Sequence, residues 1–431
     1  HMIILDTPER RKIMASEDYK DIFCCIRCAA CLNVCPAFRL VGGHVYGGSI
    51  YTGGIGTLLT SFLNSRERGK DIQNICLQCG TCNTVCGGKL DIAGMILKLR
   101  TKFAQEDGLN PVHKFCLDTV ADRHLFHSML RIASVAQGMI TKGQPMIRHL
   151  PMFLSGLTAG RSLPSIAPQP FRDILPTIKQ DVPNPKGKIA IFTGCLLDFV
   201  YVDIATDVVK ALNMAGYIVE MPLGQACCGA PATYMGDVEN AKKAAELNLN
   251  AMEAEKYDYI VSACPTCTHA LRDYVDFFKD DPEMLKKAEE LRSKTFDFCK
   301  LVSMLGGLPD TGDGVPMKVT YHDSCHLNRY LGVTKEQREL LKATKGVELI
   351  EMHDCDKCCG FGGSYSVKFP EMSAPILEEK INNIVASGAD VVAVDCPGCL
   401  LQIRGGLDAR GLNNIQVKHT AQIVVEKREK K

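Results

Sequence analysis

The sequence predicts a mixed fold class, α+β and α/β, in which a mainly helical N-terminal domain precedes two duplicated parallel α/β domains. The first observation is an internal repeat, because two sets of five cysteines lie about 131 residues apart. The second is that each set begins directly after a short apolar segment, and that strand-like and helix-like segments alternate through it. The third is a pair of compact cysteine runs near the N-terminus, outside the repeat. The repeated cysteines are Cys195, Cys227, Cys228, Cys264 and Cys267, and then Cys325, Cys358, Cys359, Cys396 and Cys399.

The two N-terminal runs share one spacing, in which two gaps of two residues are followed by a gap of three. They are Cys25, Cys28, Cys31, Cys35 and Cys76, Cys79, Cys82, Cys86. This spacing is typical of two-cluster bacterial ferredoxins, in which three cysteines hold one [4Fe–4S] cluster and the fourth ligates the other. We therefore predict a ferredoxin-type domain over residues 2–110 that holds two cubane clusters. The predicted ligands are Cys25, Cys28, Cys31 and Cys86 for the first cluster, and Cys76, Cys79, Cys82 and Cys35 for the second.

Zinc is the alternative metal for these runs, since pairs of cysteines two residues apart also form tetrahedral zinc sites. Three cysteines at consecutive gaps of two, followed by a gap of three, are crowded for a zinc site and favour iron and sulfur. A glycine-rich stretch from Gly42 to Gly56 lies between the runs. Its glycines match neither the dinucleotide-binding pattern G-x-G-x-x-G nor the P-loop. We therefore interpret the stretch as a cover over the clusters.

Residues 111–186 contain no cysteine spacing of the cluster type. The pattern from about Phe115 to Met139 predicts a helix. Frequent prolines after it predict a linker that runs over a neighbouring domain.

The first α/β domain is predicted over residues 187–310. Its strands are predicted at Lys188–Phe192, Tyr217–Met221 and Tyr259–Ser262, with helices at Asp203–Ala215 and Asp237–Glu255. Each cysteine group follows the carboxyl end of a strand, where open parallel sheets place their ligand sites.

The second α/β domain, predicted over residues 316–428, repeats this order. Its strands are predicted at Met317–Tyr321, Val347–Ile350 and Val391–Val394, with a helix at Pro370–Ser387. Strands, helices and cysteines follow one another in the same order in both domains, which indicates a duplication of one α/β unit.

Composition excludes several classes of function. Among 431 residues, 50 Lys and Arg oppose 49 Asp and Glu, and a net charge of +1 gives no field for binding nucleic acid. No apolar stretch of about 18–20 residues predicts a transmembrane helix. The sequence contains neither G-x-G-x-x-G after a strand nor a P-loop. Many cysteines without a signal peptide predict a cytoplasmic protein, either free or peripheral at the inner face of the membrane.

The repeated sets resemble the CCG, or cysteine-rich, domain, which occurs in heterodisulfide reductase and in the iron–sulfur subunits of glycolate, lactate and glycerol-3-phosphate dehydrogenases. The residues that carry the resemblance are Gly194-Cys195, Cys227-Cys228-Gly229, Cys264-Pro-Thr-Cys267, His322-Asp-Ser-Cys325-His326, Cys358-Cys359-Gly360-Phe-Gly-Gly363 and Cys396-Pro-Gly-Cys399. In the heterodisulfide reductase a complete set binds a noncubane [4Fe–4S] cluster. Both sets are complete here, so the resemblance implies one or two further clusters. We call the cysteines from Cys195 to Cys267 the first CCG set and those from Cys325 to Cys399 the second CCG set.

A second resemblance concerns the family as a whole. The stretches Cys28-Ala-Ala-Cys-Leu-Asn-Val-Cys-Pro36, Gly42-Gly-His-Val-Tyr-Gly47 and Ile50-Tyr-Thr-Gly-Gly-Ile-Gly56 resemble lactate-utilisation iron–sulfur protein B, and Cys358 to Pro370 resembles its partner, protein A. The chain resembles a fusion of the two, arranged like the iron–sulfur subunit of glycolate oxidase.

This resemblance implies an oxidoreductase subunit that carries electrons from an FAD-binding partner, which oxidises lactate or glycolate. The acceptor would be a quinone, a membrane partner or a soluble carrier. One alternative is a heterodisulfide-reductase-like catalytic subunit that cleaves a disulfide at noncubane clusters in the CCG domains. Another is a zinc-stabilised interaction protein. No catalytic residue is assigned.

Other histidines and cysteines have two interpretations. His322 and His326 flank Cys325 and could donate protons, but we favour structural histidines that are hydrogen-bonded at a strand end. His44 is interpreted in the same way. The cysteines outside the predicted ligand sets are interpreted as buried or spare thiols, with Cys355 an alternative ligand near Cys358. They are Cys24, Cys116, Cys299 and Cys355.

Overall fold

The computed structural model describes residues 6–48, 51–141, 144, 146–148, 158, 160–309 and 314–428. Residue contacts divide the chain into two compact units. The first unit comprises residues 1–113 and 231–238, and the second comprises 114–230 and 239–431. The two cysteine runs lie in the first unit, and both CCG sets lie in the second.

Short helices build most of the first unit. They are α1 (Pro8–Met14), α2 (Ala30–Val34), α3 (Pro36–Val45, interrupted at Gly42), α4 (Gly53–Leu63), α5 (Arg66–Ile72), α6 (Thr81–Thr84) and α7 (Ile92–Asp107), with 3₁₀ turns at Lys20–Cys24 and Gln73–Ile75. The longest, α7, begins where the Asp91 carboxylate accepts a hydrogen bond from the Gly94 amide at 2.9 Å. Its residues Ile92, Ile96, Leu99 and Phe103 recur at helical spacing and are buried.

The core of the first unit lies between α4 and α7, where Ile55, Leu58 and Leu99 are fully buried. Five cysteines pack against this core, namely Cys25, Cys31, Cys76, Cys82 and Cys86. The core therefore fixes the base of both cysteine runs.

Two helices, α8 (Pro111–Ala121) and α9 (Arg123–Thr141), replace the single helix predicted from Phe115. A two-stranded antiparallel sheet follows, with β1 (Met146–Ile147) paired to β2 (Leu163–Pro164), and then α10 (Phe171–Ile174) and a 3₁₀ turn at Leu175–Thr177. Residues 142–143, 145, 149–157 and 159 of the predicted linker lie outside the described residues.

The first repeat forms a four-stranded parallel sheet. Its elements are β3 (Gly187–Ile191), α11 (Leu196–Phe199), α12 (Val202–Met214), β4 (Tyr217–Glu220), α13 (Ala230–Met235), α14 (Val238–Met252), β5 (Tyr259–Ser262), α15 (Pro265–Asp273), α16 (Pro282–Lys294), β6 (Thr295–Asp297) and α17 (Phe298–Met304), with 3₁₀ turns at Ala254–Lys256 and Tyr274–Phe277. The strand order is β4-β3-β5-β6, and all three neighbouring pairs are parallel. Ile189, Ala190 and Ile191 of β3 are fully buried, as expected for a parallel strand covered on both faces.

The second repeat has the same topology. Its elements are β7 (Met317–His322), a π-helical turn (His326–Tyr330), α18 (Glu336–Lys342), β8 (Val347–Leu349), α19 (Tyr365–Lys368), α20 (Pro370–Ala386), β9 (Val391–Val394), α21 (Pro397–Ala409), β10 (Gln416–Lys418) and α22 (Thr420–Glu426). The strand order is β10-β9-β7-β8, with every neighbouring pair parallel. If the strands of each repeat are numbered along the chain, both sheets have the order 2-1-3-4.

The predicted fold class is confirmed, and the six predicted strands are all present with ends that shift by at most one residue. The fourth strand of each sheet, β6 and β10, was missed. Each is only three residues long, and both Thr295–Asp297 and Gln416–Lys418 lack an apolar run. Their pairing with β5 and β9 depends on tertiary contacts rather than on local pattern.

A buried ion pair fastens α10 to α11 inside the second unit. The Arg172 Nε donates to Asp198 Oδ2 at 2.7 Å, and the Arg172 amide donates to Asp198 Oδ1 at 3.1 Å. Asp198 is fully buried, and only 8% of Arg172 is exposed. This pair anchors the end of the predicted linker three residues from Cys195.

We expect Asp198→Asn to lower the free energy of unfolding by about 3–5 kcal/mol, because it leaves a buried guanidinium without its counter-charge. The measurement is the urea unfolding midpoint and slope of the anaerobically purified chain. The matched control is Asp276→Asn, which removes an exposed pair with Lys279 and should cost less than about 1 kcal/mol. Equal losses in the two variants would show that the Arg172 contact contributes no more than a surface pair.

Candidate metal centres

Four cysteines from both N-terminal runs surround one cavity in the first unit, which we call the first cluster group. Cys25, Cys28, Cys31 and Cys86 line it together with Tyr51, and Cys24 lies at the same cavity. Burial raises the pKa of the Cys31 thiol, and the nearby thiols of Cys25, Cys86 and Cys28 raise it further. The fourth cysteine of the second run thus lies beside the first three of the first run.

The reciprocal set, which we call the second cluster group, surrounds a neighbouring cavity of the same unit. Cys35, Cys76, Cys79 and Cys82 line it, and Cys31 of the first cluster group lines it as well. Burial and the nearby Cys79 thiol raise the pKa of Cys35 to about 12. Burial likewise raises the pKa of Cys82, with further contributions from Cys76, Cys79 and Cys35. These four neighbouring cysteines can therefore all be ionised only when a positively charged partner lies among them.

Left-handed backbone curls both cysteine loops around their cavities. Arg27 and Ala29 of the first run have φ of 57° and 65°, and Gln78 and Gly80 occupy the same positions of the second run with φ of 59° and 70°. Each such non-glycine residue costs about 1–2 kcal/mol. Left-handed residues placed between others along a loop point successive backbone N–H groups into one concavity. This arrangement is known from iron–sulfur sites. The Phe38 and Leu90 amides also donate to the sulfurs of Cys35 and Cys86, each at 3.5 Å.

The glycine-rich stretch contributes a tyrosine to each cavity. Tyr46 lines the second cavity with Gly54 and is 2% exposed, and its burial together with the nearby Cys76, Cys35 and Cys82 thiols raises its pKa. Tyr51 and Ile55 line the first cavity. Ser49 and Ile50 of this stretch lie outside the described residues.

Sulfur spacing bears on which metal the ferredoxin-type runs can hold. Among the described residues, no three of these eight cysteines bring their sulfur atoms within 4.8 Å of one another. A tetrahedral zinc site with Zn–S bonds of about 2.3 Å would bring its sulfurs to about 3.8 Å. The wider spacing fits a cluster of several metal atoms.

The first CCG set forms a connected chain of thiols at the carboxyl ends of β3 and β5. Cys227 is within hydrogen-bonding reach of Cys195 and Cys228, and Cys267 is within reach of Cys228 and Cys264. Gly194 has φ of 57°, and a Cβ there would lie 3.0 Å from the Cys267 sulfur. Glycine is therefore required beside this chain of thiols.

Neutral polar side chains hold the loops of the first CCG set. Asn248 accepts from the Ala226 amide at 2.8 Å and donates to the Cys227 carbonyl at 2.9 Å. The Tyr274 hydroxyl donates to the Cys228 carbonyl at 2.9 Å. Both side chains are buried, so α14 and the 3₁₀ turn at Tyr274–Phe277 both fix the backbone beside the Cys-Cys pair.

The second CCG set forms an equivalent chain of thiols. Cys358 is within hydrogen-bonding reach of Cys325 and Cys359, and Cys399 is within reach of Cys359 and Cys396. The Gly360 amide donates to the Cys358 sulfur at 3.4 Å. A donor of this kind stabilises a thiolate and tunes a bound metal.

The two CCG sets meet at Cys264 and Cys396, whose thiols are within hydrogen-bonding reach of each other. His419, fully buried before α22, fixes this junction. Its Nδ1 accepts from the Ala421 amide at 3.1 Å, so the proton lies on Nε2, which is 3.2 Å from the Asp395 carbonyl and also contacts the Ala263 backbone. Asp395 and Ala263 precede Cys396 and Cys264, so one ring holds both loops.

The comparisons with known proteins agree with this geometry. The sequence pattern of the cysteine-rich domain family, CCG, matches residues 189–272 and 319–404, and that of the 4Fe-4S dicluster domain family matches residues 21–90. Lactate utilization protein A of Shouchella clausii (strain KSM-K16) is 39% identical over 240 residues, which cover 56% of this chain and 99% of the relative. The chain belongs to the lactate utilization protein A family. It is an iron–sulfur protein of oxidoreductase type.

A further relative matches nearly the whole chain. The protein named "probable glycolate oxidase iron-sulfur subunit" of Bacillus subtilis (strain 168) is 29% identical over 428 residues, which cover 95% of this chain and 94% of the relative. The crystal structure of a hypothetical protein from Helicobacter pylori gives a TM-score of 0.54 at 10% identity. That alignment covers 99% of this chain and 74% of the other, and it shows a shared fold.

A buried cation beside the thiols is expected if the cysteines hold an anionic cluster. Lys380 is 1% exposed, and its ammonium donates to the carbonyls of Asp354 and Cys355 at 2.6 and 3.2 Å. Burial lowers the pKa of Lys380, and the nearby Cys359, Cys355 and Cys358 thiols oppose that shift. Within the described ranges, Lys380 forms no ion pair with a carboxylate. A buried charge without a counter-charge is costly, so a thiolate-ligated cluster fits this surrounding.

A cation also accompanies the second cluster group. The partly buried Arg100 donates to the carbonyls of Gln73, Cys76 and Tyr234 at 2.8, 3.1 and 2.8 Å. Its side chain forms no ion pair with a carboxylate in the part of the chain that the structure describes. The guanidinium therefore lies beside a thiol set rather than beside an acid.

The remaining cysteines differ in their surroundings. Cys24 and Cys116 are exposed, and Cys299 is fully buried. The Cys355 sulfur lies 3.6 Å from Nη2 of Arg338 and is hydrogen-bonded to Asp323. Cys355 therefore contacts a salt-bridged aspartate.

The preferred interpretation of His322 was wrong. Neither ring nitrogen of His322 has a hydrogen-bond partner among the described residues, although the side chain is 1% exposed. Burial lowers the pKa of His322 to about 3, with a further contribution from Lys380, so the ring is neutral. His326 instead stacks on Tyr330 with ring centroids 5.0 Å apart. Its Nδ1 lies 3.8 Å from the Cys325 sulfur.

Sequence reasoning missed Lys380, His419, Arg100 and Tyr46. Each acts through a contact distant in sequence, and no local motif marks a lysine or a histidine for such a role. An apolar helix face interrupted by one lysine, as in α20 around Ile376, Lys380 and Ile384, was the available signal for Lys380. No helix in the described ranges is long and apolar enough to cross a membrane.

We expect Lys380→Met to lower the reduction potential of a cluster at the second CCG set, because a nearby cation stabilises the reduced, more negative form. A tenfold change in the reduction equilibrium would appear as about 60 mV for one electron. The measurement is an EPR-monitored redox titration of the full chain. The exposed Lys342→Met is the control and should leave the potential unchanged. An unshifted Lys380→Met potential would contradict the assignment of Lys380 as a counter-charge.

Proposed function

We propose that this chain is the iron–sulfur electron-transfer subunit of a flavin-dependent 2-hydroxy-acid dehydrogenase. The substrate class, lactate or glycolate, is taken from the names of the relatives. An FAD-binding partner would oxidise the hydroxy acid, since this sequence has no G-x-G-x-x-G motif after a strand. The oxidation yields a 2-oxo acid, two electrons and two protons, and this chain takes up the electrons.

The proposed ligands follow the cysteine groups. Cubane [4Fe–4S] clusters are assigned to the first and second cluster groups, and one further cluster, noncubane where all five cysteines ligate, is assigned to each CCG set. The ligands are Cys25, Cys28, Cys31 and Cys86; Cys35, Cys76, Cys79 and Cys82; Cys195, Cys227, Cys228, Cys264 and Cys267; and Cys325, Cys358, Cys359, Cys396 and Cys399. Such clusters supply carriers of single electrons, which a two-electron flavin reaction needs.

The contact between Cys264 and Cys396 is the observation that carries the proposal. Through it the ten CCG sulfurs form one connected path from Cys195 to Cys325. Eight of these ten cysteines are buried, whereas the two at the ends of the path are partly exposed. A path with accessible ends and a buried middle suits the entry and exit of electrons.

The surrounding side chains would hold this path and set its potentials. His419 fixes the loops at the junction, Gly360 donates to a ligand sulfur, and Lys380 supplies a positive charge. Hydrogen bonds to sulfur, charge and burial are the means by which a protein tunes a cluster. Electrons would leave to a quinone, a membrane partner or a soluble carrier.

The metal content of anaerobically purified protein tests the cluster assignment. We expect about 16 iron atoms and 16 acid-labile sulfides per chain, the sum of four [4Fe–4S] clusters. A value of about 8 would leave the CCG sets without clusters and contradict this part of the proposal. Cys79→Ser should lose about four irons, and Cys116→Ser, which changes an exposed thiol outside the ligand sets, should lose none.

The electron-transfer role is tested by adding substrate to the chain mixed with its flavoprotein. We expect lactate or glycolate to bleach the visible absorbance of the clusters only when the flavoprotein is present. Bleaching by the hydroxy acid without the partner, or none with it, would contradict the role. An unrelated FAD-binding oxidase with its own substrate is the control for non-specific reduction.

A disulfide reductase is the second candidate, and the completeness of both adjoining CCG sets favours it. One disulfide would take two electrons and two protons and yield two thiols. The chain reduced by dithionite and freed of excess reductant would then release thiols from a heterodisulfide without any flavoprotein. Substrate-driven bleaching without thiol release would favour the electron-transfer subunit.

A further inference from the structure

The two repeats carry different residues three positions before the first cysteine of each CCG set. His322 ends β7 three residues before Cys325, and Phe192 follows β3 three residues before Cys195. The sheet registers agree. Tyr321 of β7 pairs with Ala393, three residues before Cys396, and Ile191 of β3 pairs with Val261, three residues before Cys264, so His322 and Phe192 follow at the same position of their sheets. The duplication therefore supplies an internal comparison between a histidine and a phenylalanine.

The His322 ring lies against two sulfurs of the second CCG set. One ring nitrogen and the sulfurs of Cys359 and Cys399 are all within 4.8 Å of one another, and all three side chains are buried. Among the described residues, His322 has no hydrogen-bond partner for either nitrogen. Each buried, unsatisfied group costs about 1–3 kcal/mol, so the ring requires a partner that the protein side chains do not provide.

We propose that His322 ligates a metal atom of the second CCG centre together with Cys359 and Cys399. This inference rests on the proposed function, in which that centre holds an iron–sulfur cluster. It makes the second centre histidine-ligated, whereas the first, with Phe192 in the equivalent place, is ligated by cysteine alone.

The donor set suits one metal atom. Bonds of about 2.3 Å to sulfur and about 2.1 Å to nitrogen in a tetrahedron place the nitrogen about 3.6 Å from each sulfur, within the observed limit. A ligating imidazole binds through an unprotonated nitrogen, and neither nitrogen of His322 has a hydrogen-bond partner among the described residues.

Histidine ligation would make the two centres unequal. In this arrangement His322 takes the place of one of the other three cysteines assigned above to the second centre, which removes negative charge from the cluster and raises its potential, as in Rieske centres. The buried ammonium of Lys380 acts in the same direction. Electrons that reach the paired centres would therefore collect at the second, which gives the pair a direction from Cys195 toward Cys325.

The test is pulsed EPR of the full chain, purified anaerobically from cells grown with ¹⁵N-histidine and poised where the second centre is paramagnetic. We expect a ¹⁵N hyperfine coupling in the wild type and its loss in His322→Phe, which makes the second site like the first. The control His326→Gln should keep the coupling, since His326 also lies beside the ligands. The redox midpoint should fall in His322→Phe and stay unchanged in Phe192→Leu.

The outcomes separate this inference from the proposed function. About 8 irons per chain in the wild type would mean that the CCG sets lack clusters, and the proposed function fails there. About 16 irons with no histidine coupling, or a coupling that persists in His322→Phe, would overturn the inference alone. If His322→Phe loses iron, His322→Cys should restore the iron content without the nitrogen coupling; a coupling in that variant would also overturn it.

Discussion

Close packing of buried thiols is the constraint on which the rest of the second unit depends. Eight of the ten CCG cysteines are buried, and each contacts at least one other thiol. Thiolates that repel one another in an apolar setting cannot all ionise unless positive charge accompanies them. In the proposed function metal atoms would supply most of that charge, and the buried Lys380 ammonium would add to it. The parallel sheets are the means of assembly, because the carboxyl ends of neighbouring strands bring cysteines distant in sequence to one edge.

The duplication retained this assembly and changed its surroundings. Both sheets have the same strand order, and both sets form a connected chain of sulfurs. In the first repeat the neutral side chains of Asn248 and Tyr274 hold the loop that carries the Cys-Cys pair. In the second repeat the cation Lys380 holds the segment that precedes the Cys-Cys pair. Two equal folds can thus present unequal electrostatic environments. A pair of unequal carriers is what directional electron flow requires.

The sequence predicted the structure where the spacing of residues along the chain determines which side chains meet. Cysteine spacing predicted which thiols meet in the first unit, since a cluster leaves few ways to arrange two runs with gaps of two and three residues. Short apolar segments predicted six of the eight strands of the two parallel sheets, including the four inner ones. The edge strands β6 and β10 were missed because three residues carry too little pattern. The unsatisfied ring of His322 and the junction held by His419 depend on distances across the sheet, which no local motif records.

The backbone of the first unit also fits the proposed clusters. Arg27, Ala29 and Gln78 adopt left-handed conformations that side chains disfavour, at matching places in two separate loops. Strain of this kind persists only where surrounding interactions determine the conformation. The helix core beneath the loops holds Cys25, Cys31, Cys76, Cys82 and Cys86 from one side. Their sulfurs face cavities on the other side, so the core alone leaves the loops fixed at their bases and open at their tips. Bonds from four sulfurs to one cluster would close each loop and stabilise the strained conformation, which makes the cluster part of the fold as well as the carrier of electrons.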